Sequence, residues 1–442
     1  MLNPLMHARA QNAPAYIPVF DYIGAANVPA HIAAANFSQF TQGTLVFEYD
    51  DPAVRTAAAN QGVLYIGDTT ANNFYFIQKK TSPAGSMNPW TRSGGVNGVN
   101  NFVQADTFNH GRVKVAIAWN GTDVKFYING LLFCHDTNVT APVIFNDGVR
   151  IGTGANGGST LAGITKQRLR YYNGQLPTSE LRKLTRVETI ISGASYNNDM
   201  NVVAFLGQSN ASGQGNIGSV PTYTNTSLMK LIGNDGVLKS YADPFDATAS
   251  AILPRLSDGT APALSYAGRV IDLVAGATGK TTAAVPVTLP TTSIVSDWTP
   301  EFAAATNRKT YGAVLFAAVH QLRMAKQHGR MKAIVYHQGE RDAALATSSA
   351  NYAAHLQLVC RELQRECPGV PIYIISLHTW HSGTGATETN WNNIQTAQNN
   401  FVMAGVSVIP AAGKSVISGT EVHLDAAGLI SLGDDIAAAI IG

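Results

Sequence analysis

A serine hydroxyl is a weak nucleophile at neutral pH and becomes an effective one only with a base within hydrogen-bond reach. The chain offers such a serine in Asn201-Val-Val-Ala-Phe-Leu-Gly-Gln-Ser209-Asn210. Residues 202–206 form the continuous apolar run of a strand buried on both faces, and Gly207 permits a sharp exit from it. Ligands of open α/β sheets collect outside the carboxyl ends of the strands, so a hydroxyl just past such a strand is positioned to react. A helix cap or a simple turn is the alternative role for Ser209. The candidate base is His423, which precedes a helix-like run over 425–441 and therefore lies on a loop; a surface or structural histidine is the alternative. Glu340, after the strand-like 332–336, could orient and charge-stabilise the imidazole, and is preferred to Glu421. A dyad whose histidine is held by a backbone carbonyl is a further option.

Three blocks carry a family resemblance. Gly207-Gln208-Ser209-Asn210 resembles the nucleophile block of the SGNH hydrolases, in the sialate O-acetylesterase-like branch of the carbohydrate esterases. His337-Gln338-Gly339-Glu340-Arg341-Asp342-Ala343 resembles that branch's His-Gln-Gly-Glu-x-Asp-Ala motif. Glu421-Val422-His423-Leu424-Asp425-Ala426-Ala427-Gly428 is similar to the segment carrying its catalytic histidine. The resemblance spans residues 200–442 and implies a three-layer α/β domain with a parallel sheet, in which Ser209 is the nucleophile and His423 the base. It further implies an oxyanion hole built from the Ser209 amide and Gln338, because the Gln338 block falls at the family's oxyanion-hole asparagine. Asn210 is expected to hold the serine loop or contact substrate, with simply ending the turn as the alternative, and Trp380 and His381, past the 371–377 strand, are candidate sugar contacts, with ordinary loop packing as the alternative. Arg341 and Asp342 are expected to form a structural pair beside the site.

Two departures stand out. Many SGNH enzymes place an aspartate three residues before the histidine, where this chain has Thr420; Glu421 is shifted by one residue and should point the other way. Thr291-Thr292-Ser293-Ile294, followed by Trp298, resembles the branch's Gly-Gly-Thr-Ser-Ile…Trp stretch, with Pro290 and Thr291 in place of the glycines. The implied reaction is removal of an acyl group, acetyl above all, from a carbohydrate hydroxyl, with no metal or organic cofactor.

The elements that must position these residues form a multidomain chain. At 442 residues the sequence is too long for one ordinary core. Strand-like runs alternate with helix-like ones at about 263–275, 309–328, 350–366 and 425–441, which implies a mostly parallel sheet covered on both faces. Upstream, about 20–187, the pattern is all β. Val113, Val115, Ile117 and Trp119 alternate with less apolar neighbours, as do Val124, Phe126 and Ile128, and Asn120-Gly121 and Asn129-Gly130 are hairpin-turn dipeptides. Further strands are expected at 43–49, 62–66, 73–77 and 149–151. The Trp119 to Gly130 hairpin and the 169–181 segment resemble the concanavalin-like, laminin-G-like jelly-roll domains. The expected division is an arm at 1–20, a β-sandwich at 21–190, a linker at 191–200 and the hydrolase domain at 201–442.

Composition narrows the partners. Only 13% of residues are charged and the formal charge is +2, with no basic block, so there is no electrostatic footprint for nucleic acid. No apolar run approaches a membrane span and the N-terminus lacks the pattern of a secretory signal. Three cysteines give no disulfide framework, and Cys360, among Leu356, Val359 and Leu363, is expected to be a buried thiol. A jelly roll joined to a carbohydrate esterase in a charge-poor chain resembles phage tailspike or tail-fibre proteins, which implies an O-acetylated polysaccharide partner, a virion-tail location and a homotrimer. The alternatives are a bacterial glycan esterase, or a glycan-binding adhesin whose hydrolase domain is inactive.

Overall fold

The computed structural model describes residues 16, 18–24, 30–37, 41–51, 61–79, 87–97, 111–136, 146–153, 165–187, 195–233, 236–244, 263–299, 309–310, 312–418 and 421–442. The expected N-terminal arm falls almost entirely outside them, as does Thr420.

The N-terminal region is a sandwich of two antiparallel sheets. One runs in the order Phe20–Gly24, Thr165–Tyr172, Gln42–Asp51, Gly111–Asn120, Asp123–Ile128 and Leu131–Asp136, and closes on Lys309–Thr310. The other runs Ala30–Ile32, Gly148–Ile151, Gln61–Gly67, Phe74–Lys79, Met87–Ser93 and Val96–Asn97. Alternation creates both inner faces: Val113, Val115, Ile117 and Trp119 are buried with Leu45, Phe47, Leu64, Ile66, Tyr75 and Ile77 in one core. The turn Asn129-Gly130 has φ of 49° and 84°, the pair of positive angles a two-residue hairpin loop needs.

The C-terminal region carries a seven-stranded sheet in the order Leu238–Ser240, Met229–Ile232, Thr282–Thr288, Asn197–Gly207, Gly329–His337, Ile372–Ser376 and Val406–Pro410. All its neighbours run parallel except the antiparallel edge strand Leu238–Ser240. Asn197–Gly207 is the central strand and sends alternate side chains to opposite layers. Val202, Ala204 and Leu206 pack with Val314, Phe316, Leu356, Val359 and Trp391 from the helices Ala313–Ala325, Ser349–Glu366 and Glu388–Asn399. Val203 and Phe205 pack with Tyr266, Val270, Leu429 and Leu432 from Tyr266–Thr278 and Ala426–Ile441. Burial on both faces is why this strand reads as an unbroken apolar run.

One strand is added to the sequence reading and two expectations change. Thr282–Thr288 is a central strand although it contains Pro286, which lacks a ladder donor. The Leu289 amide bonds back to Gly207, so the Pro286 nitrogen faces the other neighbour, whose pairing ends at Ala284. The proline therefore sits where no donor is required. The expected helix at 309–328 begins at Ala313, because Lys309 and Thr310 extend the sandwich by pairing with His135 and Cys134. The expected linker already belongs to the sheet from Asn197.

The two regions are also joined through side chains. Arg182 forms a bidentate pair with Glu362 at 2.7 and 2.8 Å, and Arg323 bonds both Glu366 and the Asn129 carbonyl. All three cysteines are buried, Cys360 in the helix Ser349–Glu366.

Candidate active site

Gly207 ends the central strand at φ 145°, and a Cβ there would lie 2.0 Å from the His337 carbonyl oxygen. Only glycine fits so close an approach of neighbouring strand ends. The chain then turns through Gln208 into the single helical turn Ser209–Ser212. Ser209 is nearly buried at 7% exposure, and its Oγ lies 2.9 Å from His423 Nε2. The imidazole arrives from 214 residues away. Its loop is folded by the Val416–Leu424 bridge and by the Ile417 amide donating to the His423 carbonyl, then locked by Asp425, whose side chain caps Ala426–Ile441 at Gly428. This pair can do nucleophilic chemistry: the nitrogen is at the distance needed to take the hydroxyl proton.

Both candidate acids are bonded to other groups, as the one-residue shift implied for Glu421. Glu340, 3% exposed, heads the short helix Glu340–Ala344, and its carboxylate accepts from Gln208 Nε2 through Oε2 and from Asn210 Nδ2 at 2.6 Å through Oε1. These bonds brace the serine turn; the expectation that Glu340 orients His423 directly is corrected. Glu421 has a positive φ of 49°, which turns its carboxylate toward the Gly383 amide at 2.9 Å. It ties the histidine loop to the 382–384 turn.

Asn210 is fully buried, so its expected substrate contact is also corrected. Its Nδ2 reaches the Val422 carbonyl at 3.0 Å and its Oδ1 accepts from the Leu424 amide at 2.9 Å, one residue to either side of His423. Gln338, expected as an oxyanion donor, is likewise fully buried, and its amide hydrogens go to the Thr292 carbonyl and to Asp342 Oδ2 at 3.2 Å. A side chain so committed braces the 291–294 segment instead. Asp342 joins it there, accepting from Ser293 Oγ at 2.7 Å and the Ile294 amide at 2.9 Å, while Arg341 is exposed, so the expected Arg341–Asp342 pair is replaced by these bonds.

Trp380 and His381 lie half-buried on the loop after Ile372–Ser376, with Trp380 Nε1 donating to the Ala386 carbonyl at 3.0 Å. That loop meets the histidine loop at Glu421–Gly383 and at His378, whose Nε2 is 3.2 Å from the Val422 carbonyl. His378 escaped sequence reading, although its place just past an apolar strand is the signal that would have found it. Burial lowers its pKa.

Thr291 keeps the backbone that a glycine would adopt, at φ 61°. A β-branched residue is strained there, and this one is exposed, so the side chain gains little from packing. Thr291→Gly is expected to raise unfolding stability by about 1 kcal/mol, measured by urea denaturation.

Burial dominates the electrostatics beneath the turn. It pushes the Glu340 carboxyl up to about 7, against the pull of the Asn210 hydrogen bond. His337, whose Nε2 is 3.6 Å from Glu340 Oε1, is pushed down to about 3 by burial and the nearby His378, and is neutral. An unfolded chain ionises this carboxyl near the ordinary 4.5, so between 4.5 and about 7 the folded state binds more protons. Stability from this group is therefore fully present below that window and lost as pH rises through it. Glu340→Gln, which does not titrate, is expected to remove that slope: the stability difference between the two proteins should shift by about 3 kcal/mol across the window, read by urea unfolding at a series of pH values. Among the described residues no group of three or more His, Cys, Asp or Glu could hold a metal ion, and no helix is long and apolar enough to cross a membrane.

Fold and site together define a three-layer α/β region with a serine–histidine pair at the carboxyl edge of its sheet. The chain belongs to the carbohydrate esterase, sialic acid-specific acetylesterase family, whose sequence profile matches residues 199–442, more than half its length. Membership supports a hydrolase acting on acetylated sugars. No curated protein matches the chain. Among solved structures it is similar to a protein from Arabidopsis thaliana, at 16% identity and a TM-score of 0.43, over 55% of this chain and 97% of that one. It is also similar to the Ruminococcus gnavus IT-sialidase CBM40, at 17% identity and a TM-score of 0.31, over 38% of this chain and 100% of that one. A third similarity is to the leech intramolecular trans-sialidase, at 18% identity and a TM-score of 0.31; it takes in 39% of this chain and 28% of the leech protein.

Proposed function

We propose that the protein is a carbohydrate O-acetylesterase that works through Ser209 and His423. The 2.9 Å contact between Ser209 Oγ and His423 Nε2, inside the region that matches a carbohydrate esterase family, carries this reading. Ser209 Oγ attacks the ester carbonyl carbon as His423 Nε2 takes its proton. The negative charge that develops on the carbonyl oxygen is met by the Ser209 amide at the start of the helical turn. Collapse breaks the bond to the sugar oxygen, which leaves with the proton from His423. Water, deprotonated by the same imidazole, then cleaves acetyl-Ser209 and releases acetate.

In this reading the sandwich, 21–190, is a concanavalin-like jelly roll that presents the glycan, and the hydrolase domain is 201–442. Its two antiparallel sheets support the first assignment. A tailspike setting, with a trimer acting on O-acetylated surface polysaccharide, is supported by the joined architecture and the low charge content of 13%. The test is acetate release from O-acetylated polysaccharides and 4-nitrophenyl acetate by wild type and Ser209→Ala. Release by wild type alone is expected; an inert wild type that still binds the glycan would replace the esterase with an adhesin.

A further inference from the structure

The residues on either side of Ser209 are held by one carboxylate, and those on either side of His423 are held by one carboxamide. Gln208 and Asn210, which flank the serine, donate to the two oxygens of Glu340. Val422 and Leu424, which flank the histidine, are bound through their backbones by Asn210. Gln208 is 2% exposed, Asn210 0% and Glu340 3%, so water does not compete for these bonds.

We propose that Glu340 and Asn210 are a positioning pair: acting through the main chain and through Gln208, they set the Ser209 Oγ to His423 Nε2 separation without touching either reacting atom. The proposal rests on the reading of Ser209 and His423 as nucleophile and base, and gives Glu340 a role other than partner of the imidazole. The chemical types fit it. Asn210 must donate twice and accept once, which a carboxamide does and a carboxylate cannot. Ionised, as it is above the window in which it titrates, where the assays are run, Glu340 accepts at both oxygens, because each faces an amide nitrogen. A carboxamide at 340 would set one NH2 against another, leaving a buried donor unpaired. Nothing in this frame needs a charge on the histidine.

The donor pattern supplies its own rescue. In Gln208→Glu/Glu340→Gln the new carboxylate at 208 accepts from the new carboxamide at 340, whose oxygen still accepts from Asn210. With 4-nitrophenyl acetate, Glu340→Gln is expected to lower kcat about 100-fold, the size of loss a displacement of about 1 Å brings, with KM little changed. The double variant is expected to recover most of that loss. If Glu340 instead acted by placing its charge on His423, moving the carboxylate to 208 would recover nothing, and that result overturns the proposal. Should Glu340→Gln alone fail to fold, return of both fold and turnover in the double variant supports the proposal, and failure of the double variant overturns it. Crystal structures of the wild type and the variants read the same frame without turnover. Separation of Ser209 Oγ from His423 Nε2 beyond hydrogen-bond distance in Glu340→Gln, and its restoration in the double variant, are expected; an unchanged separation in Glu340→Gln overturns the proposal even if wild type proves to have no esterase activity.

Discussion

Ser209→Ala is expected to lower kcat toward an acetyl ester by about 10⁴-fold or more while leaving the fold intact. In the proposed reaction the variant removes the atom that forms the acetyl bond, and His423 is left without a proton to accept from it. The residue is 7% exposed and lies on a helical turn, where alanine is at least as favourable as serine, so unfolding is not an expected source of the loss. Initial rates with 4-nitrophenyl acetate, beside matched circular dichroism spectra, check it. A residual rate within tenfold of wild type would mean that another group is the nucleophile.

The second large effect lies two residues upstream and falls on stability. Gly207→Ala is expected to destabilise the protein by about 3–5 kcal/mol. The added Cβ would meet the His337 carbonyl at 2.0 Å and the Ala211 side chain at 3.1 Å, and φ of 145° is an angle that alanine resists. Relief needs the central strand to move away from Gly329–His337, its longest-paired neighbour. The same movement carries Ser209 away from His423, so activity should fall with stability. Urea denaturation measures the first and ester turnover the second. A variant with wild-type stability would show that the turn is looser than its geometry.

What the sequence made legible follows from how local each signal is. The central strand was readable because residues 202–206 are buried on both faces and are therefore all apolar. The hairpin at Asn129-Gly130 was readable because its positive φ angles require that dipeptide. Thr282–Thr288 was hidden by Pro286, whose tolerance depends on where a neighbouring strand stops. Lys309–Thr310 was hidden because two residues carry no periodicity and their partner is Leu131–Asp136, far upstream. In the site, the types of Ser209 and His423 and their places after a strand and before a helix pointed to chemistry, and family resemblance brought them together. Of the remaining polar residues, Asn210 was expected to hold the serine loop and does bond within it, whereas the partners of Glu340 and Gln338 were not legible. Glu340 was read as the acid of the histidine because both lie at one sheet edge, yet the bonds that decide its partners cross 130 and 132 residues and depend on which way side chains turn inside the core. Gln338 presents the same case: a carboxamide able to donate, but turned inward to Thr292 and Asp342.

The most direct test of the central claim is to expose the folded protein to a fluorophosphonate ester, which phosphonylates only an activated hydroxyl, and to map the adduct by peptide mass spectrometry. One adduct is expected, on Ser209, and its formation should fall sharply in His423→Ala. An adduct on another residue, or labelling of Ser209 that is indifferent to His423, would contradict it.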